Sequence, residues 1–251
     1  MKTGIQVSSF RPVLTTAEEV CLAFDRIRAM DCRVVQLQWI HPSVPVEVIS
    51  RELDRAGLVS VSVQDLYAEV AAEPEYYLRL NQLTGGKWLC VSRIPEERKS
   101  IPGLEIFAGE LAMMQKELDR WDQRLCFHPV AADLQEIDGV NPAEYLMEKL
   151  PWLELCLDLY HVNRAGLSMT GWLRRWAGRV RMVHFKDFKR LPDGTEVLVP
   201  AGQGDTDWTG VPQACVEAGV EFAFVEQERW DRDPFECLGE ALRWLDGFFV
   251  R

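Results

Sequence analysis

The 251-residue chain holds only four histidines, at positions 41, 128, 161 and 184. His128, His161 and His184 stand at or just beyond the ends of short β-type runs in its second half. Two carboxylates hold matching places, Asp158 at the end of one run and Glu226 at the end of another. Imidazole nitrogen and carboxylate oxygen suit a divalent ion, and the absence of thiolates beside them argues against a purely structural zinc site. The expectation is one divalent metal ion, Mn, Co, Zn or Mg, held by His128, Asp158, His184 and Glu226. Each residue alone has a plainer reading. His128 precedes Pro129 and can simply end a strand; Asp158 can cap the next helix. His184 can be a satisfied core histidine, and Glu226 can pair with an arginine. Four such tips on neighbouring strands make a constellation.

The tips need elements that bring them together. Strand-like runs fall at Gly4–Ser8, Arg33–Leu37, Val59–Val63, Lys87–Val91, Arg124–His128, Glu154–Asp158, Val180–Phe185 and Phe222–Glu226. Helical patterns alternate with them: Thr16–Met30, Val46–Ala56, Pro74–Leu83, Gly103–Trp121, Pro142–Lys149, Arg164–Trp176, Thr209–Ala218 and a closing helix from about Pro234 to Phe248. Thr16 with Glu19 fits a capping box, and Gly57 fits a helix stop. Such alternation implies parallel strands joined by right-handed crossovers. Eight units over about 250 residues favour an α/β chain folded as a single (β/α)8 TIM barrel spanning 1–251. An open doubly wound sheet would show a Gly-rich turn after its first strand, where this chain has Ser8-Ser9-Phe10-Arg11.

Alternation then sets the lumen. Residues two apart share a strand face, so Cys126 and His128, Cys156 and Asp158, Met182, His184 and Lys186, and Phe222, Phe224 and Glu226 point inward. The lumen is apolar below and polar at the C-terminal rim, where barrels of this type carry their active sites. The long connection from Phe188 to Trp208 is read as a lid over the mouth, a hairpin around Pro192-Asp193-Gly194, or both.

Composition narrows the function. A net charge of -11 disfavours phosphate backbones and acidic membrane surfaces, so neither nucleic acid nor membrane is an expected partner. No apolar run approaches the ~20 residues of a membrane span. Met1-Lys2-Thr3 leads directly into a strand, with no signal core. The seven cysteines are odd in number, scattered and free of C-x-x-C, which points to a reduced, cytoplasmic protein.

Five segments carry a resemblance. Gly4-Ile5-Gln6-Val7 resembles G-I-Q-L, and Leu157-Asp158-Leu159-Tyr160-His161 resembles L-D-T-G-H. Val183-His184-Phe185-Lys186-Asp187 resembles H-L-K-D, and Gly202-Gln203-Gly204-Asp205-Thr206-Asp207-Trp208 resembles G-E-G-D-I-D-W. Val225-Glu226-Gln227-Glu228 resembles V-E-Q-D. Together, in this order, they resemble the xylose isomerase-like barrels, which include sugar phosphate isomerases, ketose epimerases, inosose dehydratases and AP endonucleases. The resemblance implies that Asp158, His184 and Glu226 are metal ligands, that His161 touches substrate or supports a ligand, and that Lys186 reaches a substrate oxygen. His128 departs from it, because many members carry Glu there, and Gln203 replaces the loop Glu. Ketose epimerases use two ligand Glu residues on opposite faces of the substrate; here only Glu226 remains.

The implied reaction is carried by a metal that polarises a carbonyl and acidifies the neighbouring proton. Glu226 or Glu228 acts as base, the ion and Lys186 steady the enediolate, and His161 contacts substrate. Reprotonation gives a sugar isomerase or epimerase. Loss of a β-hydroxyl gives a dehydratase of a cyclitol ketone or keto acid. Arg11, Arg93, Arg164 and Arg229 follow strands and suit a phosphate or carboxylate; surface ion pairing is their plainer reading. Trp39, Trp208 and Trp230 lie near the same rim and either pack on a sugar ring or fill the barrel top. Arg229, Trp39 and Arg93 are therefore expected substrate contacts, and the expected partner is a small sugar-like molecule, with a homo-oligomer left open. A DNA-repair nuclease of this fold needs a three-metal cluster, for which four histidines and an acidic chain are unsuited. A barrel that senses a sugar without turning it over is the remaining alternative.

Overall fold

The protein is described by a computed structural model over residues 1–249. Its strands are β1 (Lys2–Gln6), β2 (Val34–Leu37), β3 (Val59–Leu66), β4 (Trp88–Ser92), β5 (Arg124–His128), β6 (Glu154–Asp158), β7 (Val180–Phe185), β8 (Asp187–Arg190), β9 (Glu196–Val199) and β10 (Phe222–Val225). Eight of them close into an all-parallel barrel in the order β1-β10-β7-β6-β5-β4-β3-β2, and β8 pairs with β9 outside it. This is a (β/α)8 TIM barrel. The expected residues 250–251 lie outside the described residues.

Local sequence sets the helices that hold the strands apart. Thr16 accepts from Glu19 N while the Glu19 side chain accepts from the Thr16 backbone, the reciprocal cap expected for Ala17–Ala29. Val46–Ala56 stops at Gly57, which takes the left-handed backbone (φ 67°) that ends helices at little cost to glycine. The expected helix over 164–176 is instead two short ones, Leu159–Arg164 and Met169–Arg175. Gly166 turns left-handed between them and Ser168 caps the second. The first strand also ends early: Val7–Val13 is a 3-10 segment containing Pro12.

Two apolar layers flank the strands. Inside the barrel lie Val34, Val61, Trp88, Cys90, Cys126, Cys156, Met182 and Phe224, all buried. Outside, a larger core packs strand residues such as Val35, Leu157 and Phe185 against the helices. Gly4 shows how tight the closure is, since a Cβ there would collide with the Val34 carbonyl oxygen. The 188–208 connection is an antiparallel hairpin, pairing Asp187 with Val199 and Arg190 with Glu196. Gly194 (φ 86°) supplies its tip.

Candidate metal centre

Strand register delivers the donors. Asp158 on β6 lies directly beside His184 on β7, and His184 beside Phe224 on β10. His128 ends β5, and Glu226 follows β10 immediately. Asp158 also caps Leu159–Arg164: its Oδ1 accepts from Tyr160 N at 2.8 Å and His161 N at 3.2 Å. The cap leaves Oδ2 turned toward the other donors. The plain reading, a helix cap, is met by one oxygen of this carboxylate, and the other oxygen is left available to an ion.

His128, Asp158 and His184 are buried and present ligand atoms within 4.8 Å of one another. His128 Nε2 lies 3.3 Å from His184 Nδ1 and 3.9 Å from Asp158 Oδ2. Glu226 Oε2 borders the group, 3.1 Å from His184 Nδ1. Ser8 Oγ donates to the other Glu226 oxygen at 2.9 Å and so aims the carboxylate. Below the centre, His184 Nε2 is 2.6 Å from Gln36 Oε1 and 3.2 Å from Cys156 Sγ. An amide oxygen only accepts, so His184 Nε2 is the donor in the contact with Gln36 Oε1, which also accepts from Gln6 Nε2. The opposite nitrogen, Nδ1, faces Glu226 and His128; it carries a proton when the ring is charged and would offer its lone pair to an ion that displaced that proton.

Electron-pair donors thus converge on one buried point. Asp158 Oδ2 and Glu226 Oε2 accept no hydrogen bond among the described residues, although Lys186 approaches both. Two imidazoles and two carboxylates around such a point fit a divalent ion, and the donor types favour a transition metal or zinc. Charge in the cluster follows the same geometry. Burial, aided by the charge on His184, pushes His128 down to about 3 and keeps it neutral. Burial also opposes charge on His184, but the Cys156 sulfur and Glu226 outweigh it and hold its proton well above the usual histidine range. Burial works against ionised Asp158, yet Lys186 and His161 bring it to about 2. Glu226 is likewise held well below the usual carboxylate range, Lys186 and His184 outweighing its burial.

The second layer faces the mouth. Lys186 Nζ is 3.2 Å from Asp158 Oδ2, 3.1 Å from Glu226 Oε2 and 2.9 Å from Glu228 Oε1. Burial raises the Glu228 carboxyl, helped by the charge on Glu226. His161 Nε2 is 3.7 Å from Asp158 Oδ2, and burial lowers its basicity. A cavity of about 320 Å³ opens over these groups, walled by Trp39, Tyr160, His161, Lys186, Glu228 and Arg229 and by Glu196–Leu198 of the hairpin. The hairpin therefore borders the mouth, as its length suggested.

Other expected residues are placed elsewhere. Arg93 is exposed and lies outside that cavity; its backbone N–H donates to the His128 carbonyl at 3.3 Å. Gln203 donates to Glu240 Oε2 at 2.8 Å, turned away from the centre. Trp208 packs on Phe185 and Trp244 with ring centroids 5.0 and 5.6 Å away, the structural role of the two considered. Arg164 pairs with Glu196 on the hairpin. Sequence reasoning missed Gln36, Ser8 and Asp187. Gln36 had one signal, a polar residue inside the apolar run Val34-Val35-Gln36-Leu37.

No protein-family model matches the chain, and no curated protein matches it in sequence. Solved structures do share its fold. A sugar phosphate isomerase/epimerase from Parabacteroides distasonis superposes with a TM-score of 0.79 at 13% identity, covering 97% of this chain and 92% of that one. A probable 3-DHS dehydratase from Bacillus anthracis gives 0.74 at 14% identity, covering 98% of both chains. A 3-keto-D-glucoside 4-epimerase from E. coli gives 0.70 at 17% identity, covering 98% and 99%. At such identities the likeness is one of architecture, and the chain is a (β/α)8 barrel with the fold of the xylose isomerase-like proteins.

Proposed function

We propose that the chain is a divalent-metal-dependent isomerase or epimerase of a polyhydroxy carbonyl compound, a sugar or sugar phosphate. The observation that carries this reading is the convergence of His128 Nε2, His184 Nδ1 and Asp158 Oδ2 on one buried point at the barrel mouth, bordered by Glu226 Oε2. Those four residues would hold the ion. Once bound, it would supply Lewis acidity toward the substrate carbonyl and so acidify the adjacent C–H.

The chain's own groups do the rest. Glu228 combines a raised carboxyl with a place on the cavity wall, which suits it to take a proton and return it near neutral pH. Glu226, fully ionised, serves as ligand and as the nearest alternative base. Lys186 holds positive charge beside the place where enediolate oxygen develops, and His161 offers a neutral imidazole to a substrate hydroxyl. The apolar lumen beneath keeps bulk water from the centre.

A second reading is dehydration, and His128 favours it. A neutral imidazole held near pKa 3 cannot replace the second carboxylate of a two-sided proton exchange. Loss of a β-hydroxyl needs no such second carboxylate opposite the first. All seven cysteines are free, which supports a reducing, cytoplasmic setting. No helix among the described residues is long and apolar enough to cross a membrane.

The test is turnover of a panel of keto-sugars and cyclitol ketones in deuterium oxide by Mn-loaded protein. Deuterium at the carbon beside the carbonyl is the expected result. A substrate converted without exchange would point to an internal hydride shift and remove the base from Glu228 and Glu226. Loss of water would select the second reading.

A further inference from the structure

A second cavity, of about 390 Å³, lies over the ends of β2 and β3. Trp39 lines both this cavity and the one above the metal centre. Both volumes fall in the range of small-ligand pockets, roughly 300–1,000 Å³.

Trp39 is held in place from three sides. Its backbone is left-handed (φ 57°), a costly conformation for a bulky residue. Its indole N–H donates to Asp65 Oδ1 at 3.1 Å, and the Arg11 guanidinium lies 4.8 Å from its ring centre. Strained positions that persist in this way gather at ligand clamps.

The chemistry of the second cavity is that of an uncharged, hydroxyl-bearing ring. Gln64 is buried on its wall; its Nε2 donates to Gln38 Oε1 at 3.2 Å, while its own Oε1 accepts nothing among the described residues. A buried amide oxygen without a donor costs free energy that a ligand hydroxyl would recover. Tyr76 and Trp39 supply aromatic surface for the C–H face of a sugar. The charged side chains on the wall are Arg11, Asp65 and Glu69, a balance that leans negative and gives an anion little net attraction. The Arg11 guanidinium lies over the Trp39 ring, and both Asp65 oxygens already accept, from Trp39, Leu66 N and Tyr77 Oη.

Resting on the sugar reading above, we infer that this cavity is a subsite for a second, uncharged sugar ring, so that the substrate is a disaccharide or glycoside whose two rings straddle Trp39. The carbonyl-bearing ring sits at the metal centre and its glycosidic partner over Gln64.

Calorimetric titration of Mn-loaded protein tests this with fructose, fructose 6-phosphate and the ketose disaccharides turanose, isomaltulose and lactulose. At least one disaccharide is expected to bind about tenfold more tightly than fructose, the equivalent of one good polar or stacking contact. Gln64→Leu should erase that gain, as should Tyr76→Ala, a half-exposed position whose change leaves the barrel intact. Equal affinity for fructose and the disaccharides, or tightest binding of fructose 6-phosphate, overturns the second-ring subsite and leaves the sugar reading standing. Absence of binding by every sugar to protein that retains Mn overturns both. Manganese content, measured on the same samples, reports on the metal separately.

Discussion

The ammonium of Lys186 lies 3.2 Å from Asp158 Oδ2, the one oxygen that the helix cap leaves free. The same ammonium reaches Glu226 Oε2 at 3.1 Å. Lys186 thus occupies the cation's side of the centre and neutralises two carboxylates that a metal would also neutralise.

That competition predicts the behaviour of Lys186→Met. Manganese should bind the variant about tenfold more tightly, because no internal cation has to give way. Turnover should fall about a hundredfold, because charge beside the developing oxyanion is lost. Metal-free variant should also melt at lower temperature than wild type and recover on adding Mn. Electron paramagnetic resonance of free Mn during titration reads the affinity directly. A weakened affinity would mean that Lys186 supports the centre and does not compete for it.

Asp158→Asn separates the ligand from the cap. An asparagine oxygen can still accept from Tyr160 N and His161 N, so Leu159–Arg164 should remain helical. The position facing His128 and Lys186 becomes an amide NH2, which donates and cannot ligate an ion. Metal retention should fall by about a hundredfold, with circular dichroism unchanged. Elemental analysis of protein purified without chelator gives the ratio. Full retention would remove Asp158 from the ligand set.

The β-type runs ending in His128, Asp158, His184 and Glu226 were legible because strand alternation is strict and each run is short. The four tips therefore fall on one face by sequence spacing alone. What could not be read was contact across the barrel. Gln36 meets His184 from a strand 148 positions away in sequence, and no local pattern encodes that approach. Lys186 was expected at the site, but its place between Asp158 and Glu226 depends on β7 ending where the hairpin begins. The helix broken at Gly166 was missed because the apolar pattern continues through it, while the backbone turns at a single left-handed residue. Arg93 followed a strand as the sequence required, yet its side chain is exposed.

Acid should weaken the metal-free protein in a defined window. His128 falls to about 3 in the fold and His161 is also lowered, each chiefly by burial. The unfolded chain takes up these protons near the ordinary histidine pKa, about 6.5. Stability from these groups is therefore complete above that value and is lost as pH drops toward the folded values. His184 shifts the opposite way, so its contribution changes above the ordinary range and not below it. Between about pH 6.5 and 5 the ordinary carboxylates have yet to titrate, so His128 and His161 steepen the slope, and the raised carboxyls of Glu228 and Asp133 act against them. His128→Asn should reduce that slope by up to about 1.4 kcal/mol per pH unit. Urea unfolding at several pH values measures it, and an unchanged slope would show that His128 is protonated in the fold.

Asp187 should control the mouth without touching the centre. It is fully buried, and its two oxygens accept from five donors. Oδ1 takes Phe188 N at 2.9 Å and Thr206 N at 3.2 Å. Oδ2 takes Gly202 N and Gly204 N, both at 3.0 Å, and Trp208 Nε1 at 3.1 Å. One carboxylate thus ties the base of the hairpin to the loop that leaves it. Gly204 must be glycine for this, because a Cβ there would collide with Asp187 Oδ1 and the Phe188 carbonyl oxygen. In Asp187→Asn one acceptor becomes a donor that faces donors. The variant should lose about 3 kcal/mol of stability. Amide exchange should quicken across 202–208 and across the hairpin. Because Glu196–Leu198 wall the cavity above Lys186, KM should rise by more than kcat falls. Metal retention should be unchanged, since no ligand contacts Asp187 in this set of bonds. Faster exchange with unaltered KM would separate the hairpin from substrate binding, and unaltered exchange would show that the loop is held by Trp208 packing alone.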